Sequence, residues 1–250
     1  MLFFFFGLVI TLSLLGPERS SGYIMPAEQL IDFMTKAFSD FKTITITQST
    51  LRTENEREVV FTEQITTESP DLFHSRMLDQ RAERPDPPDM TYRQLLMSNS
   101  RERIEHLLAV MGINLEKVSL TRVEGMIAYR IGEKWPDSPG LLIEKERFLP
   151  ILLKYRLPGD LTGEMITVRF QDYKKQDKGW FPFEITCSVG DRIKEHYSIL
   201  TFQANYPVSS STLKPFDPGP DPGQPGEDGP SDVEEERLRK IIKAFEEKYP

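Results

Sequence analysis

Between Leu141 and Asn205 apolar and polar residues alternate in runs separated by short polar breaks. Ile151, Leu153, Tyr155 and Leu157 share one parity, with Leu152, Lys154 and Arg156 between them. Ile166, Val168 and Phe170 alternate with Thr167, Arg169 and Gln171. Phe181, Phe183, Ile185 and Cys187 alternate with Pro182, Glu184 and Thr186. A period of two sends each apolar set to one face of a sheet and each polar set to the other. The stretch reads as four or five consecutive β-strands.

Upstream, the period changes to that of a helix. Leu30, Ile31, Met34, Ala37, Phe38 and Phe41 recur at three- and four-residue spacing after Pro26, whose missing N–H costs nothing at a helix start. The amphipathic helix so predicted, 26–41, must cover an apolar surface. Thr43 to Gln48 alternates threonine with Ile44 and Ile46, a β-prone pattern. Val59, Phe61 and Ile65 mark a second strand, and Leu72 to Leu78 a third. The polar link from Leu51 to Glu58 suits a hairpin connection. From Asp79 to Met90 the pattern fails: Arg81, Arg84, Pro85, Pro87 and Pro88 predict an exposed loop. Ser100 to Met111 is helical in pattern, with Ile104, Leu107, Leu108 and Met111 on one face and Gly112 placed to close it. Strands are expected again at Val118 to Thr121 and Met126 to Ile131, around a turn at Glu124 and Gly125.

The two ends differ from this body. Leu2 to Leu15 is nearly all apolar and is too short for a comfortable membrane span, which suits a signal-peptide core. Ser20, Ser21 and Gly22 supply small residues for cleavage near Gly22. No lysine or arginine precedes the apolar run, so the start lies upstream or the amino terminus supplies the positive charge. An uncleaved anchor is the competing reading. Lys214 to Pro230 is crowded with proline, glycine and aspartate, as a solvated linker is. Its aspartates lack the ligand spacing of a calcium loop. Ser231 and Glu234 form a capping box ahead of a narrow stripe of Leu238, Ile241, Ile242 and Phe245. This last helix docks on the domain, binds a partner or stays loose. The divisions expected are 1–22 signal peptide, 23–210 folded domain, 211–230 linker and 231–250 helix.

Composition narrows the chemistry. The chain has 250 residues and a formal charge of −8, with no basic stripe, so no nucleic-acid partner is expected. Cys187 is the single cysteine, which rules out an intrachain disulfide and any multi-cysteine metal site. His74, His106 and His196 fall in no metal-ligating spacing. Cys187 and His196 could face each other across a hairpin, but no nucleophile turn surrounds the cysteine. Glu58, Glu63 and Glu164 have polar neighbours and read as solvated strand residues. No phosphate-binding loop, dinucleotide fingerprint or nucleophile elbow occurs. The pattern favours binding over catalysis, with no cofactor and no metal.

Several short motifs carry a resemblance. The run from Ala27 through Phe41-Lys42-Thr43 to Thr47-Gln48, then Pro70-Asp71-Leu72-Phe73 followed by Met77, resembles the periplasmic outer-membrane lipoprotein carriers, the LolA-like proteins. Gly125 to Ile131, Leu142-Ile143-Glu144, Phe148-Leu149-Pro150 and Phe170-Gln171-Asp172-Tyr173 are similar to the broader lipoprotein-sorting-like group. The similarity runs over about 27–206. The carriers place an arginine immediately before the proline, where this chain has Ser69; Arg76 lies nearby without aligning. The resemblance implies an α+β fold: an unclosed antiparallel β-barrel, or half-barrel, with helices over its concave face and a cavity for acyl chains between.

The function expected is a non-enzymatic periplasmic carrier that binds the acyl chains of a lipid or lipoprotein for transport toward the outer membrane. Its protein partners would be an inner-membrane transporter or an outer-membrane acceptor, and a monomer is expected. The alternative is a lipid-sensing or protein-interaction module of the same fold that docks a partner through its C-terminal helix. The cavity residues expected are Leu30, Met34 and Phe38 on the helix, with Phe61, Ile65 and Phe73 on early strands. Ile151, Leu153, Ile166, Val168, Phe183 and Ile185 on the late strands complete the set.

Overall fold

The alternation over 141–205 resolves into five strands, and they are the continuous half of one large sheet. The computed structural model describes residues 24–38, 41–54, 57–68, 72–78, 91–156, 163–176, 179–207 and 214–215. The expected signal peptide, the loop 79–90, almost all of the linker and the C-terminal helix lie outside the described residues. So do Ser69 and Pro70.

Helix α1 (Ala27–Phe38) is followed by β1 (Thr43–Glu54), β2 (Arg57–Glu68) and β3 (Leu72–Met77). Helices α2 (Thr91–Met97) and α3 (Arg101–Val110) come next. Then follow β4 (Val118–Val123), β5 (Met126–Gly132), β6 (Gly140–Glu144) and β7 (Pro150–Tyr155). β8 (Ile166–Gln176), β9 (Gly179–Val189), β10 (Arg192–Ala204) and the short β11 (Lys214–Pro215) complete the described elements. All neighbours pair antiparallel, in the order β11-β3-β2-β1-β10-β9-β8-β7-β6-β5-β4. The two outermost strands, β4 and β11, do not pair with each other, so the sheet is an unclosed half-barrel with helices on one face. That is the α+β architecture expected.

Every described helix sits on the inner face. Leu30, Ile31, Met34 and Phe38 of α1 are 0–1% exposed and belong to one continuous core with the inward residues of β1, β2 and β5–β10. Burial of each such side chain is worth about 2 kcal/mol. The end of α1 touches the sheet at Gly179: a Cβ there would stand 2.3 Å from the Ala37 carbonyl oxygen. Only a residue without a side chain lets the helix backbone come that close. Helix α3 starts at Ser100, whose hydroxyl accepts from Arg103 N at 3.3 Å and donates to Glu102 at 2.8 Å. It ends at Gly112 with φ +76°, the closing position read from the sequence. The β4–β5 hairpin turns on Glu124 and Gly125 at φ 51° and 86°, as a two-residue type I′ connection requires.

Three expectations need correction. β1 and β2 run on to Glu54 and from Arg57, so most of the expected hairpin link is strand. The polar residues there alternate across the sheet instead of leaving it. Residues 91–97 form a helix that the pattern over 79–103 does not announce. Cys187 pairs with Glu195, while His196 pairs with Thr186 and accepts or donates a 3.0 Å bond to that hydroxyl. The cysteine is buried inward and its neighbour's histidine lies on the opposite face, so the two never meet.

Candidate functional site

Alternation along β1 directs Ile44, Ile46, Gln48, Thr50 and Arg52 inward, all buried. Antiparallel register sets Thr67 against Ile44, Ile65 against Ile46, and Glu63 against Gln48. The inner face is thus split into two zones by residue choice alone. One zone is apolar: Ile44, Ile46, Ile65, Phe181 and Ile185. The other is a polar belt: Gln48, Thr50, Arg52, Glu63, Tyr197 and Glu195.

The belt is closely bonded. Glu63, 3% exposed, accepts from Gln48 Nε2 at 2.9 Å and Thr50 at 2.7 Å through Oε1, and from Ser75 at 2.9 Å through Oε2. Arg52 pairs with Glu195 at 2.8 Å and lies over the Phe61 ring. Glu195 also accepts from the Tyr197 hydroxyl. Helix α2 meets the belt through Arg93, which donates from Nη2 to Gln48 Oε1 at 3.0 Å and from Nε to the Tyr92 hydroxyl at 3.2 Å. Its guanidinium stacks 4.7 Å from the Tyr197 ring centroid. Burial pushes the phenols of Tyr92 and Tyr197 well above their ordinary pKa, so both remain neutral hydrogen-bonding groups. Gln48 links the network, accepting a hydrogen bond from Arg93 at Oε1 and donating from Nε2 to Glu63 and Thr50.

Where α2 crosses the apolar zone, a gap of about 10 Å³ remains, lined by Ile44, Ile46, Ile65, Thr67, Arg93, Leu96, Met97, Phe181 and Ile185. That is at most room for one water. An alkyl chain enters only if side chains or α2 itself give way.

The expected cavity residues divide accordingly. Ile65 and Ile185 line the gap. Leu30, Met34, Phe38, Leu153, Ile166 and Val168 belong to the surrounding core, and Phe73 and Phe183 pack half-buried at its margin. Phe61 is buried but outside that core: it pairs with Thr50 and is shut off by the belt. Ile151 also falls outside, because Ile143 pairs with Pro150 and Leu142 with Leu152, leaving Ile151 as the extra residue of a bulge. Glu63 is not a solvated strand residue; its parity with Phe61 and Ile65 was the available signal for an inward position. The sequence pattern does not announce Tyr92 and Arg93, because the apolar positions of α2 are too few to show a period. Among the described residues no group of three or more His, Cys, Asp or Glu side chains could hold a metal ion. Among them, too, no helix is long and apolar enough to cross a membrane.

No protein-family model and no curated protein matches the chain. Solved structures similar to it include a LolA superfamily protein from Nitrosomonas europaea, at 7% identity and a TM-score of 0.48, covering 76% of this chain and 99% of the other. A putative outer membrane lipoprotein-sorting protein domain from Vibrio parahaemolyticus shares 9% identity over 74% of this chain and 96% of its own, at a TM-score of 0.47. A DUF1329 family protein from Desulfovibrio piger shares 8% identity over 75% of this chain and 97% of its own, at 0.48.

Proposed function

We propose that the protein is a non-enzymatic periplasmic carrier that holds an acyl chain of a lipid or lipoprotein against the inner face of its half-barrel, for transport toward the outer membrane. The observation that carries this reading is the apolar gap under α2. A seven-residue helix is its only cover from that side among the described residues, and a helix so short has little stability of its own. Displacing it would uncover the isoleucines of β1 and β2 and the phenylalanine and isoleucine of β9. A buried methylene gains about 0.8 kcal/mol, so a chain of ordinary lipid length offsets a modest cost of opening. The apolar N-terminal run supports export, and the polar, densely bonded belt supplies a floor that stops a chain from crossing the whole face. Native mass spectrometry after gentle purification should show lipid adducts, and the purified protein should bind a neutral fluorescent apolar probe that added lipid displaces. A protein without adducts from which no lipid displaces the probe would end this reading.

A further inference from the structure

A face that only holds alkyl chains needs apolar area and no fixed charge, yet Arg93 projects into it at 4% exposure. Arginine stays protonated at any pH of interest, and a buried charge is costly without a counter-charge. Among the described residues Arg93 forms no ion pair. Its Nε and Nη2 donate to Tyr92 and to the neutral carbonyl of Gln48, and nothing described accepts from Nη1. Glu63 lies one step further, behind the Gln48 amide, with both oxygens already engaged. The guanidinium therefore stands at the boundary of the two zones, stacked on the Tyr197 ring with no Nη1 acceptor among the described residues, and it lines the apolar gap.

We infer that Arg93 receives the anionic head, carboxylate or phosphate monoester, of a single-chain lipid whose tail lies in the apolar zone. This rests on the acyl-holding reading above and adds the head-group class. The planar fork of arginine matches either oxyanion with two parallel hydrogen bonds. In the structure Gln48 Oε1 takes the place of one such oxygen. When the anion enters, Gln48 keeps its amide bond to Glu63, and the Arg93 charge gains a directly bonded anion, which none of the described residues supplies. No covalent step is involved.

The test compares ligands that share one tail. Palmitate, hexadecyl phosphate and methyl palmitate are each used to displace a neutral apolar fluorophore from the intact protein at neutral pH. The expected result is that at least one anion displaces the probe at a concentration about tenfold or more below that of the ester, the ratio a charge-assisted bond confers. Comparing palmitate with hexadecyl phosphate tells which oxyanion is preferred. In Arg93→Met the ratio between ester and anion displacement concentrations should fall to about one. Equal displacement by acid and ester in the natural protein, which needs no variant to fold, overturns the inference and leaves acyl holding intact. A preference that survives in a folded Arg93→Met protein overturns it as well. Failure of all three ligands overturns the acyl reading and this inference together.

Discussion

Glu63 shows how one side chain can be constrained by its neighbours rather than by a cation. Its carboxylate collects bonds from Gln48, Thr50 and Ser75 inside the polar belt, with Phe61 and Ile65 as the inward residues on either side of it along β2. Removing the acceptor takes the partner from the buried Thr50 hydroxyl and from the half-buried Ser75, and leaves Gln48 Nε2 only its bond to Thr50, so buried donors lose bonds at a desolvation cost. Glu63→Ala should therefore lower the unfolding free energy by about 2–4 kcal/mol, read as a shift in urea midpoint at unchanged slope. Glu63→Gln should cost less, because a carbonyl at the Oε1 position still accepts from Gln48 and Thr50 while the amide takes the Oε2 position opposite the Ser75 hydroxyl, which can accept. If Ala and Gln variants lose the same amount, the network is not what holds the carboxylate in place.

At the scale of elements, the contact between α1 and β9 decides whether the helix can lie on the sheet. Gly179→Ala would drive a methyl into the Ala37 carbonyl at 2.3 Å and toward the Phe41 ring at 3.1 Å. The helix end must then lift or the strand must shift. Thermal unfolding should show a loss of about 1–3 kcal/mol, with signals from Phe41, Phe181 and Phe202, which pack together there, moving most in an aromatic NMR spectrum. An unchanged midpoint would mean that α1 is not seated as described. The sequence makes most of these elements legible for one reason: where a strand or helix has one face buried, periodicity must appear in its residues. It works for α1, α3 and the strands over 141–205, and for the turn at Glu124 and Gly125. It fails where burial does not follow period. The bulge takes Ile151 out of the count, and α2 is too short to show a repeat. The polar belt hides Glu63 and Arg93, since an inward charged residue reads as an outward one until its partners are placed. The apolar half of the candidate site was therefore readable in outline, and the polar half was not.

For the whole molecule, the question is where an unclosed sheet opens first. β1, β9 and β10 have a hydrogen-bonded neighbour on each side, so their ladder amides exchange only when the sheet on the flank they donate to opens. Helix α2 has no such frame. It buries five inward side chains, Tyr92, Arg93, Leu95, Leu96 and Met97, and joins no sheet ladder among the described residues. An isolated helix of that length has no stability to spare in water. Local opening at α2 should thus cost less than opening the sheet, and it is the opening that uncovers the gap. Under native conditions the α2 amides should exchange at least about tenfold faster than those in the middle of β1 and β9. A saturating lipid that displaces the apolar probe should slow or speed α2 selectively, according to whether the helix closes over the chain or is held away by it, and should leave β9 unchanged. Exchange of α2 at the rate of β1 would mean that the face opens only when the whole domain unfolds. The inner face would then be a solid core with no path for cargo, and the helix that covers the gap would be a structural wall like any other.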